Sequence, residues 1–351
     1  MRITANQVTM ARIFLLPVPV YMLIYGDAME WWVAFAVFVL LGATDFIDGE
    51  IARREGPTTF GSLIDPVADK IFMAAIILSM VAIGIYPAWV TTILLSRELL
   101  MTALRSSVAI RKEAIKTSML AKLKTIIQMG GSGTIFFTIV LPPKAVVYVC
   151  VALAIPFFLT GLVYLLRRKR PPFWSFPVFL AFVLVAVMAG LLSKEVNLAV
   201  QMGIILTITW ASALEYLVGT YRLFRRTGML LGDWSRLLWA IVYGVFVVPL
   251  VAYFPIVVLP ILVSISLEFG LGGIDNIVVL AKSRFSSWPF LLSSAAGFIF
   301  AIIANLSIFW HNSSMPFYSS LGLVAISAII CGTVFGRHVD LFKREYYKEK
   351  I

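Results

Sequence analysis

The stretch Thr44-Asp45-Phe46-Ile47-Asp48-Gly49-Glu50-Ile51-Ala52-Arg53, followed by Phe60-Gly61-Ser62-Leu63-Ile64-Asp65-Pro66-Val67-Ala68-Asp69-Lys70, sets four aspartates into two apolar runs. Asp45 and Asp48 are three residues apart and Asp65 and Asp69 four apart, so on helices each pair shares one face. Gly56-Pro57 lies between the runs, breaks the helix and permits a tight turn. The two helices are therefore expected to run antiparallel, with both carboxylate pairs meeting just inside the inner surface of a membrane.

Asp45 follows the apolar run from Phe35 to Ala43, too deep for an ordinary solvated helix end. An aspartate without a partner at mid-membrane costs roughly 2.5–3.5 kcal/mol, and less near the interface. Several on shared faces call for a compensating ion, although a single member such as Asp45 can also stand behind the direct ligands. With no His or Cys nearby, four carboxylates suit a hard, oxygen-seeking cation, Mg²⁺ or Mn²⁺. The charge count invites two ions, the arrangement that clamps a phosphate or diphosphate during displacement. Gly49, Ala52 and Gly61 are small enough for a nucleotide or a helix backbone to come close.

Outward from this stretch, the composition describes a membrane protein. Of 351 residues, 61% are hydrophobic and 13% charged, against roughly 25% charged in soluble domains. Apolar runs of about 20 residues recur along the whole length, without the alternation of a barrel. The reading is all-α and polytopic, with spans at 10–26, 31–52, 61–85, 88–110, 119–141, 145–166, 174–193, 197–221, 237–254, 257–281, 288–310 and 317–336. With the N-terminus in the cytoplasm, Lys144 and Lys194 fall in outside loops and Arg97 within a span; the rest of the 29 Lys and Arg lie on or near the inside face. The net charge of +11 is thus mainly a topology signal and secondarily an attraction to anionic lipids, and no nucleic-acid partner is expected. The first span carries Arg12, Pro17 and Pro19 and no small-residue cleavage site, so it is not expected to be a removable leader. Cys150 and Cys331 fall within spans and are expected as free thiols, and His311 and His338 belong to no metal cluster.

Arg167-Arg168-Lys169-Arg170 followed by Pro171-Pro172 divides the chain into 1–168 and 169–351, six spans and about six more. The halves show no internal repeat, so the inverted-repeat logic of transporters finds no support. In the first half, Arg97-Glu98 and Arg105 stand on the fourth span, and Lys122 and Lys124 open the fifth. Eight residues is close to two turns, so Arg97 and Arg105 face roughly the same way. Arginine forks and lysine charges are the usual tools for a phosphate. Arg97 is either such a ligand or the partner of a buried acid, and Lys122 and Lys124 are either ligands or inside-facing topology charges.

The aspartate run resembles the signature of the CDP-alcohol phosphotransferases, DxxDGxxAR…GxxxDxxxD. Asp45, Asp48, Gly49, Ala52, Arg53, Gly61, Asp65 and Asp69 all match, with a gap before Gly61 a residue or two shorter than is frequent in the family. The resemblance implies a membrane-embedded six-helix core open to the cytoplasm, commonly homodimeric. It makes Asp45, Asp48 and Asp65 metal ligands, and Asp69 a ligand or the base that takes the acceptor's proton. Asp48, Gly49, Ala52, Arg53 and Gly61 would line the CDP pocket. Residues 1–168 are also similar to the phosphatidylglycerophosphate synthase branch, through Asn6…Thr9…Arg12, Asp65-Pro66-Val67-Ala68-Asp69-Lys70, Arg97-Glu98-Leu99 with Arg105, and Lys122…Lys124-Thr125…Gln128-Met129. Ala121 departs from it, a glycine being more usual there. This likeness implies CDP-diacylglycerol and glycerol 3-phosphate as substrates, with Arg97, Arg105, Lys122 and Lys124 on the acceptor's phosphate.

Two rival readings stay open. One keeps the chemistry and changes the acceptor to phosphatidylglycerol or an inositol phosphate. The other is a transporter or scaffold with a fused transferase half. Residues 173–351 carry no recognisable motif. Glu215, Glu268 and Asp275-Asn276 lie in or near spans, and Gly270, Gly272 and Gly273 either loosen a helix or permit close packing.

Overall fold

A computed structural model describes residues 4–56, 58–111, 119–167, 170–172, 174–281, 286–310 and 314–348. Its elements are α1 (Ala5–Leu15), α2 (Pro17–Tyr25), α3 (Ala28–Glu55), α4 (Thr59–Ala82), α5 (Ala88–Ile110), α6 (Met119–Val140), α7 (Pro143–Leu166), α8 (Ser175–Leu191) and α9 (Lys194–Thr227). Then come α10 (Leu231–Ile241), a π-helical turn at Val242–Val247, α11 (Leu250–Tyr253), α12 (Val258–Leu280), α13 (Trp288–Phe309) and α14 (Met315–Lys348). The described residues contain no strand. The protein is an all-α polytopic membrane protein, and each expected span coincides with a helix or a broken helix.

Local chemistry sets the boundaries. Thr4 caps α1 and Asp27 caps α3 in reciprocal capping boxes with Gln7 and Glu30. Pro17 ends the α1 ladder and opens α2 at its first residue. The 28 residues of α3 extend about 42 Å, more than a bilayer's hydrocarbon core requires. Gly56 terminates α3 at φ 90°, a backbone conformation that favours glycine, and Thr58 caps α4 by accepting from the Gly61 N–H.

Among the described residues, eight stretches are long and apolar enough to cross a bilayer. The α4 and α5 helices stand outside that set, where Asp65, Asp69 and Lys70 interrupt one and Arg97, Glu98 and Arg105 the other. Large apolar side chains such as Phe14, Leu40, Leu166, Leu191 and Ile329 are exposed. In water they would be an aggregation hazard; in a bilayer they meet lipid.

Packing groups the chain into two compact units, Met1–Ile115 with Gly219–Ile351, and Lys116–Val218. This grouping does not follow the 168/169 boundary expected from the basic cluster. The reason is contact between distant segments: in the first unit α12 packs against both α4 and α5, and α10 against α5. In the second unit α7 and α8 form a hairpin around Val146, Cys150, Val185 and Met188. Buried amides and hydroxyls join α6 to α9 there: Gln201 donates to Thr138 and accepts from Thr134, and Gln128 donates to Thr209. Both cysteines are free.

Candidate active site

The four aspartates converge on α1. Asn6, Thr9 and Arg12 recur every three residues along this short helix, a polar stripe on one face. Arg12 is buried, its side chain only 1% exposed. Its Nη1 donates to Asp45 Oδ1 at 2.8 Å and lies 3.6 Å from Asp69 Oδ1, while Nη2 reaches Asp48 Oδ2 at 3.5 Å. Thr9 Oγ1 stands 2.9 Å from Asp48 Oδ2 and 3.5 Å from Asp65 Oδ1. Each carboxylate is therefore in contact with Arg12 or Thr9. The Asp48 side chain is buried, whereas those of Asp45 and Asp69 are about half exposed, at 49% and 51%. The cluster is closed behind by α1 and open in front.

Helix periodicity accounts for this arrangement. Asp45 and Asp48 come off one face of α3 and Asp65 and Asp69 off one face of α4. The Gly56 turn folds the two helices back on each other, and α1 packs against both. Gly61 allows the close approach of α1: a Cβ there would sit 3.0 Å from Asn6 Oδ1 and 2.9 Å from Thr58 Oγ1. Asn6 Nδ2 donates to the same Thr58 hydroxyl at 3.3 Å, tying the start of α1 to the start of α4.

Four carboxyl groups face one guanidinium, and the donors are all hard oxygens, the set that Mg²⁺ or Mn²⁺ prefers. Among the described residues no three His, Cys, Asp or Glu side chains are grouped so as to hold a metal ion together. Arg12 stands in the middle, and Asp45 would have to exchange it for an ion to become a ligand. The donor chemistry, four carboxylates and no His or Cys, is what suits a divalent cation here.

The other residues singled out in the sequence are distributed unevenly. Gly49 borders open space, a Cβ there meeting only Arg53 Nη1 at 3.7 Å. Ala52 is half-buried, and Arg53 is exposed, with Nη2 2.7 Å from Glu50 Oε2. Arg97 is buried and pairs with the adjacent Glu98, Nη1 to Oε1 at 3.0 Å, while Arg105 on the same helix is exposed. Their eight-residue spacing overshoots two turns by some 80°, enough to turn one inward and the other outward. Lys124 is buried on α6 in the second unit, and the side chain of Lys122 lies outside the described residues. Thr9 and Arg12 are the contacts that sequence reasoning undervalued. Their signal is the three-residue spacing of polar side chains in an apolar segment.

Residues 2–156 match the family described as CDP-alcohol phosphatidyltransferase. The probable phosphatidylglycerophosphate synthase of Mycobacterium tuberculosis H37Rv is 36% identical over 171 residues, covering 47% of this chain and 81% of that protein. The chain belongs to the CDP-alcohol phosphatidyltransferase family. The CDP-diacylglycerol--glycerol-3-phosphate 3-phosphatidyltransferases of Rickettsia prowazekii and Bacillus subtilis are 34% and 33% identical, over 38% and 35% of this chain and 81% and 71% of theirs. No solved structure gives a significant match. The family match contains every aspartate of the cluster together with Asn6, Thr9 and Arg12, and it leaves the chain after residue 156 unaccounted for.

Proposed function

We propose that this family member transfers the phosphatidyl group of CDP-diacylglycerol to glycerol 3-phosphate, giving phosphatidylglycerophosphate and CMP. The observation that carries the reading is the convergence of Asp45, Asp48, Asp65 and Asp69 on Arg12 and Thr9, in a chain whose relatives bear the names of that reaction. In this reading Asp45, Asp48, Asp65 and Asp69 hold Mg²⁺ or Mn²⁺, two ions by the charge count. Bound there, divalent cations supply charge neutralisation for the diphosphate and the leaving CMP. Gly49, Ala52, Arg53 and Gly61, with Asp48, border the CDP moiety, the open space at Gly49 being where a diphosphate can approach the backbone. The acceptor hydroxyl attacks the β-phosphorus, its proton passes to the half-exposed Asp69 carboxylate, and the bond from that phosphorus to the CMP oxygen breaks. Thr9 and Arg12 hold the carboxylates at their spacing while charge moves. On the sequence likeness, Arg97, Arg105, Lys122 and Lys124 are assigned to the acceptor phosphate; of these Arg97 would exchange Glu98 for it, whereas Arg105 is turned outward on the same helix.

The transferase half is residues 1–168, and the protein works as a homodimer in a bacterial cytoplasmic membrane. Its N-terminus and active site face the cytoplasm, in keeping with the concentration of Lys and Arg in the loops assigned to that side. The test is CMP release by the purified full-length protein in detergent with CDP-diacylglycerol and Mg²⁺. Glycerol 3-phosphate, phosphatidylglycerol and an inositol phosphate are supplied separately, with Asp69→Asn as control. Release that requires glycerol 3-phosphate and vanishes in the variant is expected. Release only with another acceptor replaces the substrate, and release with none rejects the reaction.

A further inference from the structure

We infer that α12, from the part of the chain beyond the family match, is a wall that positions α4 and its two carboxylates, with Gly273 as the positioning residue. The C-terminal helices then support the transferase half and are not an independent appended unit. This rests on the proposed reaction only in taking Asp65 and Asp69 as its reacting groups.

The two sides of α4 divide the work. Asp65 and Asp69 face α1, whereas Leu63, Val67 and Lys70 follow i, i+4, i+7 spacing and lie roughly half a turn away, on the opposite face. That opposite face is the one α12 covers. A Cβ on Gly273 would lie 2.8 Å from both Leu63 Cδ1 and Val67 Cγ2. A Cβ on Gly272 would lie 2.6 Å from Thr102 Cγ2 on α5. The same Thr102 accepts a hydrogen bond from Lys70 Nζ at 2.7 Å, and the Lys70 ammonium sits 5.6 Å from the centre of the Phe269 ring on α12. Adjacent glycines thus let one helix touch α4 and α5 at backbone distance, at the level of the aspartates. The pair permits close packing; α12 runs as helix through both.

A wall positions its neighbour only if it is itself held, and α12 is pinned on both sides of the glycines. Five residues before Gly273, Glu268 accepts from Trp239 Nε1, Ser293 Oγ and Ser327 Oγ, each at 2.7 Å, and from Tyr243 Oη at 3.0 Å. Two residues after it, Asp275 is gripped by Arg236 through Nε and Nη2, both at 2.7 Å. These partners come from α10, the π-helical turn, α13 and α14, and the carboxylates are fully buried. Withdrawing α12 to make room for a larger residue would break buried charge-assisted bonds. The displacement falls on α4 instead. Leu63 can swing its terminal methyl aside, but Val67, β-branched and on a helix, cannot.

The experiment uses the full chain in detergent and reads Mn²⁺ binding by electron paramagnetic resonance alongside CMP release. Gly273→Ala is expected to weaken Mn²⁺ binding about tenfold, as the loss of a supporting contact behind metal ligands does, and to lower kcat with unchanged helix content and monodispersity. Gly273→Ala with Val67→Ala is expected to recover most of both. A folded Gly273→Ala protein with wild-type Mn²⁺ affinity, or a double variant without recovery, overturns the inference; a packing role alone would cost stability and leave the ion's affinity intact. If Gly273→Ala does not fold, Phe269→Leu removes the ring beneath Lys70 without adding volume, and unchanged Mn²⁺ affinity there also overturns it. Failure of the wild type to release CMP rejects the proposed reaction and leaves the Mn²⁺ readout to decide the role of α12.

Discussion

Among the described residues, Arg12 is the cation that contacts three of the four carboxylates, and the consequence of replacing it by Met can be estimated from its contacts. Stripping one partner from a buried ion pair typically costs about 3–5 kcal/mol. Here Asp48 is buried but Asp45 and Asp69 are half exposed, so water recovers part of the loss and about 2–3 kcal/mol is expected without metal. Divalent metal should reverse the comparison. In the wild type an ion must displace the guanidinium from Asp45, held at 2.8 Å; in Arg12→Met it meets no rival. The variant should bind Mn²⁺ about tenfold more tightly, equivalent to about 1.4 kcal/mol, so added metal should raise its stability more than the wild type's. The assay is unfolding in detergent, with and without Mg²⁺, alongside Mn²⁺ titration. Arg12→Met as stable as wild type without metal, or gaining no more from it, would refute the view that Arg12 holds the place of an ion. CMP release should nevertheless fall, since the guanidinium also sets the spacing of the ligands.

Other substitutions separate chemistry from packing. Asp48→Asn and Asp65→Asn should each reduce CMP release at least about 100-fold in a folded protein, because an amide is a poorer ligand for a hard cation; near-normal turnover would remove the residue from the metal set. Arg97→Ala should raise the KM for glycerol 3-phosphate about tenfold or more, the scale of one lost charge-assisted contact, and an unchanged KM with lowered stability would leave Arg97 as the structural partner of Glu98. Glu268→Ala strands the donors of Trp239, Tyr243, Ser293 and Ser327, so a loss of about 3–5 kcal/mol is expected in an unfolding titration. Asp275→Asn should cost a comparable amount by leaving the buried Arg236 without its counter-charge.

The membrane class, the helices and the pairing of aspartates were all legible along the chain, because each depends on short-range order: hydropathy over about 20 residues and a helical repeat over three or four. The turn at Gly56 was legible for the same reason, and the structure gives that residue a positive φ. The role of Arg12 was harder to see. An arginine near the start of an apolar segment reads as a topology charge, and only folding α1 against α3 and α4 puts it within 3.6 Å of three aspartates. Arg97 and Arg105 show the limit of periodicity: eight residues look like two turns, yet the angular remainder leaves one buried and the other exposed.

The family's aspartate signature and the all-helical membrane character were set in the chain itself, since these follow from residue type and local spacing. Tertiary structure alone decided which distant segments share a wall. Nothing in the spacing of Leu63 and Val67 points to Gly273 more than 200 residues later, nor does Glu268 announce Trp239, Ser293 and Ser327 as its donors. Such contacts are selected by shape and by the need of a buried carboxylate for partners, and both exist only once the helices are packed.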